Sequence, residues 1–172
     1  TNITSSRFLV FGVKGMLSAA KNVRNAMLFN VLSFMSDKLL TVGNTVAALD
    51  ELYIWLSNPT AIEYIRNCLK RVRKKESAML LASQNLEDFD QEGVREMTKP
   101  LFSIPPHQFL FNAGSIDKRS YMDMLQLEES EYNLIKFPQR GVCLYKCGNE
   151  RYLLEVHAPA YKEKLFGTAG GR

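Results

Sequence analysis

The chain has 172 residues, 46% of them apolar and 23% charged, which suits one globular domain and excludes disorder over most of its length. Lys and Arg exceed Asp and Glu by 22 − 18 = +4, which permits an anionic partner without demanding one. No apolar run reaches the length of a membrane span, and residues 1–30 lack the layout of a signal peptide. In chain order, Arg7 to Val13 is an apolar run suited to a buried strand. Met16, Ala20, Val23, Met27 and Val31 then recur at helical spacing, with Leu17, Leu28 and Leu32 on other faces, so that helix is expected to be largely buried. Thr41 to Asn44 is a polar connection, and Thr45 to Leu49 is a second buried strand that runs into Asp50 and Glu51.

The clearest helix follows. Asn58 is a good N-cap, and Pro59 fits the first helical position, where its missing N–H costs nothing. Ile62, Ile65, Leu69 and Val72 form its apolar stripe, and Arg66, Lys70, Arg71, Arg73, Lys74 and Lys75 crowd the far side and the end. Ala78 to Ser83 is a third strand. Asp88 to Thr98 reads as a polar helix, after which Pro100, Pro105 and Pro106 are expected to break the chain. Gln108 to Asn112 reads as a strand, and Ser120 to Lys136 as one or two short helices. Gly141 to Cys147 and Arg151 to His157 flank the hairpin turn Gly148–Asn149, and Phe166 to Arg172 is a glycine-rich tail expected to be mobile. Strands alternating with helices argue for an α/β fold with a mostly parallel sheet and a closing antiparallel hairpin.

Cys143 and Cys147 fall in one strand about 13 Å apart, too far for a disulfide. With Cys68 they read as reduced thiols, and His107 and His157 lack metal-ligand spacing. Phe102, Phe109, Phe111 and Tyr121 are expected in the core rather than on a base-stacking platform.

Val46-Ala47-Ala48-Leu49-Asp50-Glu51 has the shape of a Walker B motif: a buried strand whose C-terminal tip delivers two acids to the edge where parallel sheets bind ligands. An Asp there can hold the magnesium of a nucleotide through water, and a Glu beside it can orient and deprotonate the water that attacks a γ-phosphate. The next strand ends near Gln84, whose amide can contact that phosphate and report its loss. The run Lys70 to Lys75 admits three readings: a nucleic-acid phosphate patch, an arginine supplied across a subunit interface, or a solvated, dipole-favoured helix end. The chain contains no glycine-rich loop closed by Lys and Ser or Thr to cradle a triphosphate. Gly12 to Gly15 is too short and is followed by Met16, and Gly170–Gly171 has no Lys after it.

The stretch Ala48 to Phe89, with its Asp-Glu, Arg-Lys and Gln elements in that order, resembles the C-terminal half of a type IV secretion or conjugation ATPase of the CagE/TrbE/VirB class. The versions it resembles are those carried by conjugative elements of Gram-positive bacteria. The likeness extends through Phe109 to Gly114, Gly141 to Leu154 and Leu165 to Arg172. It implies the C-terminal half of a RecA-like P-loop NTPase domain with helices on both faces of the sheet and without its phosphate-loop strand. One partial motor domain would span 1–172, with the sheet in 1–115, short helices in 116–138, the hairpin in 139–158 and a tail in 159–172. The implied cofactors are ATP and magnesium, used only by the full-length protein. Asp50 would bind the magnesium, Glu51 would be the catalytic base and Gln84 the γ-phosphate sensor. Arg73, with Lys74 beside it, would contact phosphate, including that of a neighbouring subunit.

The implied partners are other secretion and conjugation components and further copies of the chain, in a dimer or hexamer. The implied place is the bacterial cytoplasm, peripheral at the inner face of the membrane and held there by partners. One departure is Gly12, where many relatives carry an acid. The chain is thus expected to be a piece of a longer protein whose phosphate loop lies upstream, and to be inactive alone. The strand edge beside Ala78 to Ser83 is expected to pair with Gln108–Asn112 or to bury against another copy. Two alternatives stand beside this: a DNA-pumping ATPase of the HerA/FtsK or coupling-protein type, with Lys70 to Lys75 on DNA, and a non-catalytic scaffold that kept the fold.

Overall fold

The computed structural model describes residues 7–16, 18–56, 58–84, 86–89 and 93–167. The described residues divide between two compact units, one within 1–84 and 88–98, the other within 85–87 and 99–172. The glycine-rich tail from residue 168 lies outside the described residues.

The N-terminal unit is held by helices. Helix α1 (Lys21–Asp37) runs into a π turn (Lys38–Val42) and packs against α3 (Pro59–Arg71). Leu28, Leu32, Met35 and Leu39 recur at helical spacing and are buried, as are Ile62, Ile65 and Cys68 of α3. Asn58 caps α3 by accepting from Thr60 N–H at 3.0 Å, with Pro59 in the first turn, as the sequence indicated. Helix α1 starts later than expected, with Met16 in a separate 3-10 turn, and it buries only one face: Val23 and Met27 are exposed.

Beside these helices, β1 (Val46–Leu49) and β2 (Ala78–Leu81) pair in parallel, Val46 opposite Ala78 and Leu49 opposite Leu81. The short helix α2 (Tyr53–Leu56) follows β1 and buries Ile54, Trp55 and Leu56. The run Arg7 to Val13 is not a strand. It has no ladder, Phe8 and Val10 are exposed, and Phe11 rests edge-on against Phe34 at 5.6 Å. Apolar composition marks a segment fit for a sheet interior, but a strand also needs a neighbouring edge to bond.

The C-terminal unit holds an antiparallel sheet of β3 (His107–Leu110), β4 (Val142–Cys147) and β5 (Glu150–Glu155) in that order. Gly148, at φ 57, opens the two-residue turn of the β4–β5 hairpin. One face of the sheet packs Leu144 and Leu110 against α5 (Lys118–Leu125) and α6 (Glu129–Ile135), through Tyr121, Leu125 and Ile135. Asp117 caps α5, and Glu128 and Glu131 form a capping box on α6. Helix α7 (Ala160–Phe166) closes the described chain.

Several expectations need correction. Among the described residues the sheets are one parallel pair and one antiparallel triplet, not one mostly parallel sheet. β3 pairs with β4, so it does not cover the second edge of β2. The helix expected at Asp88 to Thr98 lies at Arg95–Ser103 (α4) and runs through Pro100, whose nitrogen has no proton to donate. Tyr121 is core as expected, but Phe109 and Phe111 are exposed, because the strand period turns them off the packed face. The three cysteines are free thiols, and burial raises the pKa of Cys68 and Cys143.

Candidate functional site

The parallel pair sets the site. Ala82 N–H donates to Leu49 C=O and Leu52 N–H donates to Ala82 C=O, both at 2.9 Å, so the two chains stay locked beyond the last ladder residues. Asp50 and Glu51 therefore emerge at the C-terminal rim of β1, directly beside the exit of β2. Leu52 is buried and anchors the turn from below.

The turn is tight. Glu51 lies in the left-handed region at φ 52, where a non-glycine residue stores about 1–3 kcal/mol that the surroundings must hold. Three bonds hold it: Glu51 N–H donates to Asp50 Oδ1 at 2.9 Å, Ile54 N–H donates to Glu51 C=O at 3.0 Å, and Gln84 Nε2 donates to Glu51 Oε1 at 2.7 Å. The last bond joins residues 33 positions apart, across the β1–α3–β2 crossover. A carboxylate held by an amide in this way is aimed rather than free to rotate, and its second oxygen can accept a proton from water.

Arg73 and Lys74 lie elsewhere. They occupy a 3-10 turn (Val72–Lys75) that leads into β2, at the opposite end of the parallel pair. Lys75 C=O accepts from Asn44 N–H at 2.9 Å, and Thr45 N–H donates to Ser77 Oγ at 3.2 Å, which ties this turn to the entrance of β1. Gly43, at φ 78, makes that tie possible, since a Cβ there would stand 2.8 Å from Lys75 O. The two rims are separated by the length of a four-residue strand, about 13 Å. The fold thus brings Asp50, Glu51 and Gln84 together and sets Arg73 and Lys74 apart from them within one chain. Arg73, Lys74 and Lys75 are all exposed.

The direct contact between Glu51 and Gln84 is the feature that the residues alone did not reveal, since their types assign the two side chains separate roles. The available signal was the crossover itself: two parallel strands in register, each continuing two or three residues to a polar tip.

No protein-family model matches the chain. It is 32% identical over 101 residues to a probable conjugal transfer protein TrbE of Sinorhizobium fredii, a match covering 58% of this chain and 15% of that protein. Over 101 residues it is 31% identical to the conjugal transfer protein TrbE of Rhizobium radiobacter, covering 58% of this chain and 12% of the relative. The solved structure of VirB4 of Thermoanaerobacter pseudethanolicus superposes with a TM-score of 0.81 at 30% identity, over 93% of this chain and 44% of that one. The resemblance to the TrbE/VirB class of conjugation and type IV secretion proteins therefore holds in sequence and in fold. The chain spans less than a sixth of the curated relatives it matches.

Proposed function

We propose that this chain supplies the acid-and-sensor part of a RecA-like motor domain in a conjugation or type IV secretion ATPase. The observation that carries the reading is the Gln84 amide on the Glu51 carboxylate, beside Asp50, at the C-terminal rim of a parallel strand pair. Ligands of open α/β sheets bind at that rim. ATP with magnesium fits the donor set: Asp50 is an exposed hard-oxygen ligand suited to a hydrated magnesium, which needs only one or two protein carboxylates. The magnesium–nucleotide pair would supply charge neutralisation on the phosphates. Glu51 would orient the attacking water and take its proton, while Gln84 would exchange its bond to Glu51 for one to the γ-phosphate and return after phosphate leaves.

Placement at the opposite rim supports a role for Arg73 and Lys74 on the nucleotide of a neighbouring copy. A head-to-tail ring, in which one rim of each copy meets the other rim of the next, would bring cation and acids together. The parent would then act as a dimer or hexamer with other secretion components, held at the inner face of the bacterial membrane by those partners. In the RecA-like reading the phosphate-loop strand would take the second edge of β2, or another copy would cover it.

The test uses a full-length protein that carries a phosphate loop with this domain. Asp50→Ala and Glu51→Gln should each lower ATP turnover by about 10²–10⁴-fold, and the 172-residue chain alone should show no measurable hydrolysis. Turnover and DNA transfer unchanged in Glu51→Gln would remove the assignment and leave a scaffold. The exposed cations from Lys70 to Lys75 favour one second reading, a DNA-pumping motor. Salt-sensitive DNA binding lost in Arg71→Ala and Lys75→Ala, with hydrolysis intact, would select it.

A further inference from the structure

Strand β5 lies at the outside of the antiparallel sheet and is regular over six residues, Glu150–Glu155. Val156 N–H donates to Gly141 C=O at 2.9 Å, where the two backbones cross closely, so Gly141 and Val156 form a hydrogen-bonded pair. Such pairs alternate along an antiparallel ladder. Leu154, Tyr152 and Glu150 therefore bond to β4, and the N–H and C=O groups of Arg151, Leu153 and Glu155 point away from it. No described residue bonds to those outward groups.

Sheet edges are commonly blunted by proline, a bulge or shortness. β3 shows two of these devices, since it has four residues and is entered through Pro105 and Pro106. β5 shows none. It contains no proline, and its register with β4 is unbroken from Cys147–Glu150 to Val142–Glu155. Its outward residues are also ordered symmetrically: a cation, a Leu that is 55% exposed, and an anion, two residues apart at each step. Two antiparallel copies with Leu153 facing Leu153 set Arg151 of each against Glu155 of the other. A slide of two residues either way breaks both pairs.

The local charge balance favours that register. Arg151 stands directly across the ladder from Lys146, and of these two cations Arg151 holds a carboxylate, Glu131, 3.1 Å from its Nε. Lys146 Nζ donates to Leu125 C=O, and Arg151 Nη1 donates to Gly148 C=O and Glu150 C=O, both at 2.9 Å. No described residue supplies an acceptor for Arg151 Nη2. Glu155 in turn has only His157 among the described residues, at 3.2 Å. A second copy therefore brings the carboxylate that this cation pair lacks. On the other sheet face the same register sets Tyr152 beside Leu154. It extends a row in which Phe109, Tyr145 and Tyr152 stack at 4.8 and 6.2 Å.

We infer that β5 is a self-association edge, which pairs antiparallel with β5 of a second copy about a two-fold axis at Leu153. The contact is isologous. It uses neither rim of the β1–β2 pair and stands apart from the nucleotide chemistry and the head-to-tail ring proposed above. Its few side chains on each copy place it among weak, transient dimers.

Sedimentation equilibrium of the 172-residue chain, from about 10 µM to about 1 mM, should show monomer and dimer with a Kd of about 100 µM. Leu153→Lys sets two ammonium groups at the axis and should raise the Kd about tenfold or more. Arg151→Glu and Glu155→Arg should each fail to self-associate, and their equimolar mixture should form a heterodimer because both ion pairs return. Should Arg151→Glu not fold without its contact to Glu131, Leu153→Cys serves in its place. Facing Cα atoms at the axis lie about 5.5 Å apart, within disulfide reach. Mild oxidation should therefore link Leu153→Cys chains but neither the parent chain nor Glu155→Cys. A chain monomeric at about 1 mM would overturn the proposal. So would a dimer that Leu153→Lys leaves intact, a mixture of the folded charge variants that stays monomeric, or a β5 edge covered only by a strand of another protein.

Discussion

The parallel pair leaves Val46 66% and Leu80 62% exposed, whereas β4 of the antiparallel sheet buries Cys143 and Leu144 almost completely. Parallel strands are ordinarily covered on both faces, while antiparallel sheets tolerate one wet face. By that standard the C-terminal sheet is a finished structure, with one face on α5 and α6. The β1–β2 pair draws its support from a helical core and from bonds at its two rims. The catalytic candidates therefore sit on the less buried of the two sheets. A few named hydrogen bonds, rather than packing, aim Glu51, and the same scaffold keeps the basic turn a strand length away.

The sharpest test of the contrast is core truncation. Ile65→Ala in α3 and Leu144→Ala in β4 remove fully buried side chains, and each should cost about 2–5 kcal/mol. If the N-terminal unit rests on its helices, hydrogen exchange in Ile65→Ala should accelerate across α1, α3 and the β1–β2 ladder, leaving β4 and β5 protected. Uniform acceleration through both sheets would break the comparison.

Gly141→Ala comes next. It combines a left-handed φ with a clash against Val156 O, and should destabilise the C-terminal unit by about 1–3 kcal/mol in a thermal melt. An alanine chain that melts unchanged would mean that the crossing is not tight.

Tyr121 gives a pH signature. Burial pushes its pKa up to about 12 from an ordinary value of 10.0. The unfolded chain then loses the phenolic proton first, so stability is complete below pH 10 and falls as pH rises toward 12. The loss is about 1.4 kcal/mol for each pH unit in that window. Tyr121→Phe should cost about 1 kcal/mol at neutral pH through its lost bond to Phe111 C=O, and should flatten the alkaline slope in denaturant titrations.

Smallest is Asn58→Ala, about 1 kcal/mol from the lost cap of α3. Exchange should quicken at the first turn of α3 alone. A change reaching the Glu51–Gln84 bond would show the rim to be more strongly coupled to that helix than the bonds named here imply.

Much of this was legible in the residues. Asn58–Pro59 marks the start of α3, Gly148–Asn149 marks the hairpin, and an apolar run ending in two acids marks β1 and its rim, because caps, turns and strand tips are set by local chemistry. The resemblance to the TrbE/VirB class rested on the stretch Ala48 to Phe89 with its Asp-Glu, Arg-Lys and Gln elements, and sequence and fold comparisons support it. Arg7 to Val13 misled for the opposite reason: an apolar run records what a segment could bury, not whether an edge is there to receive it.

Composition, periodicity and capping thus determined by themselves the start of α3, the turn of the β4–β5 hairpin and the acids that reach the tip of β1. Tertiary structure alone decided that Gln84 grips Glu51 and that Arg73 and Lys74 stand at the far rim. Those facts depend on register and crossover over tens of residues. No local pattern encodes the distance between two side chains that only the closed backbone brings together.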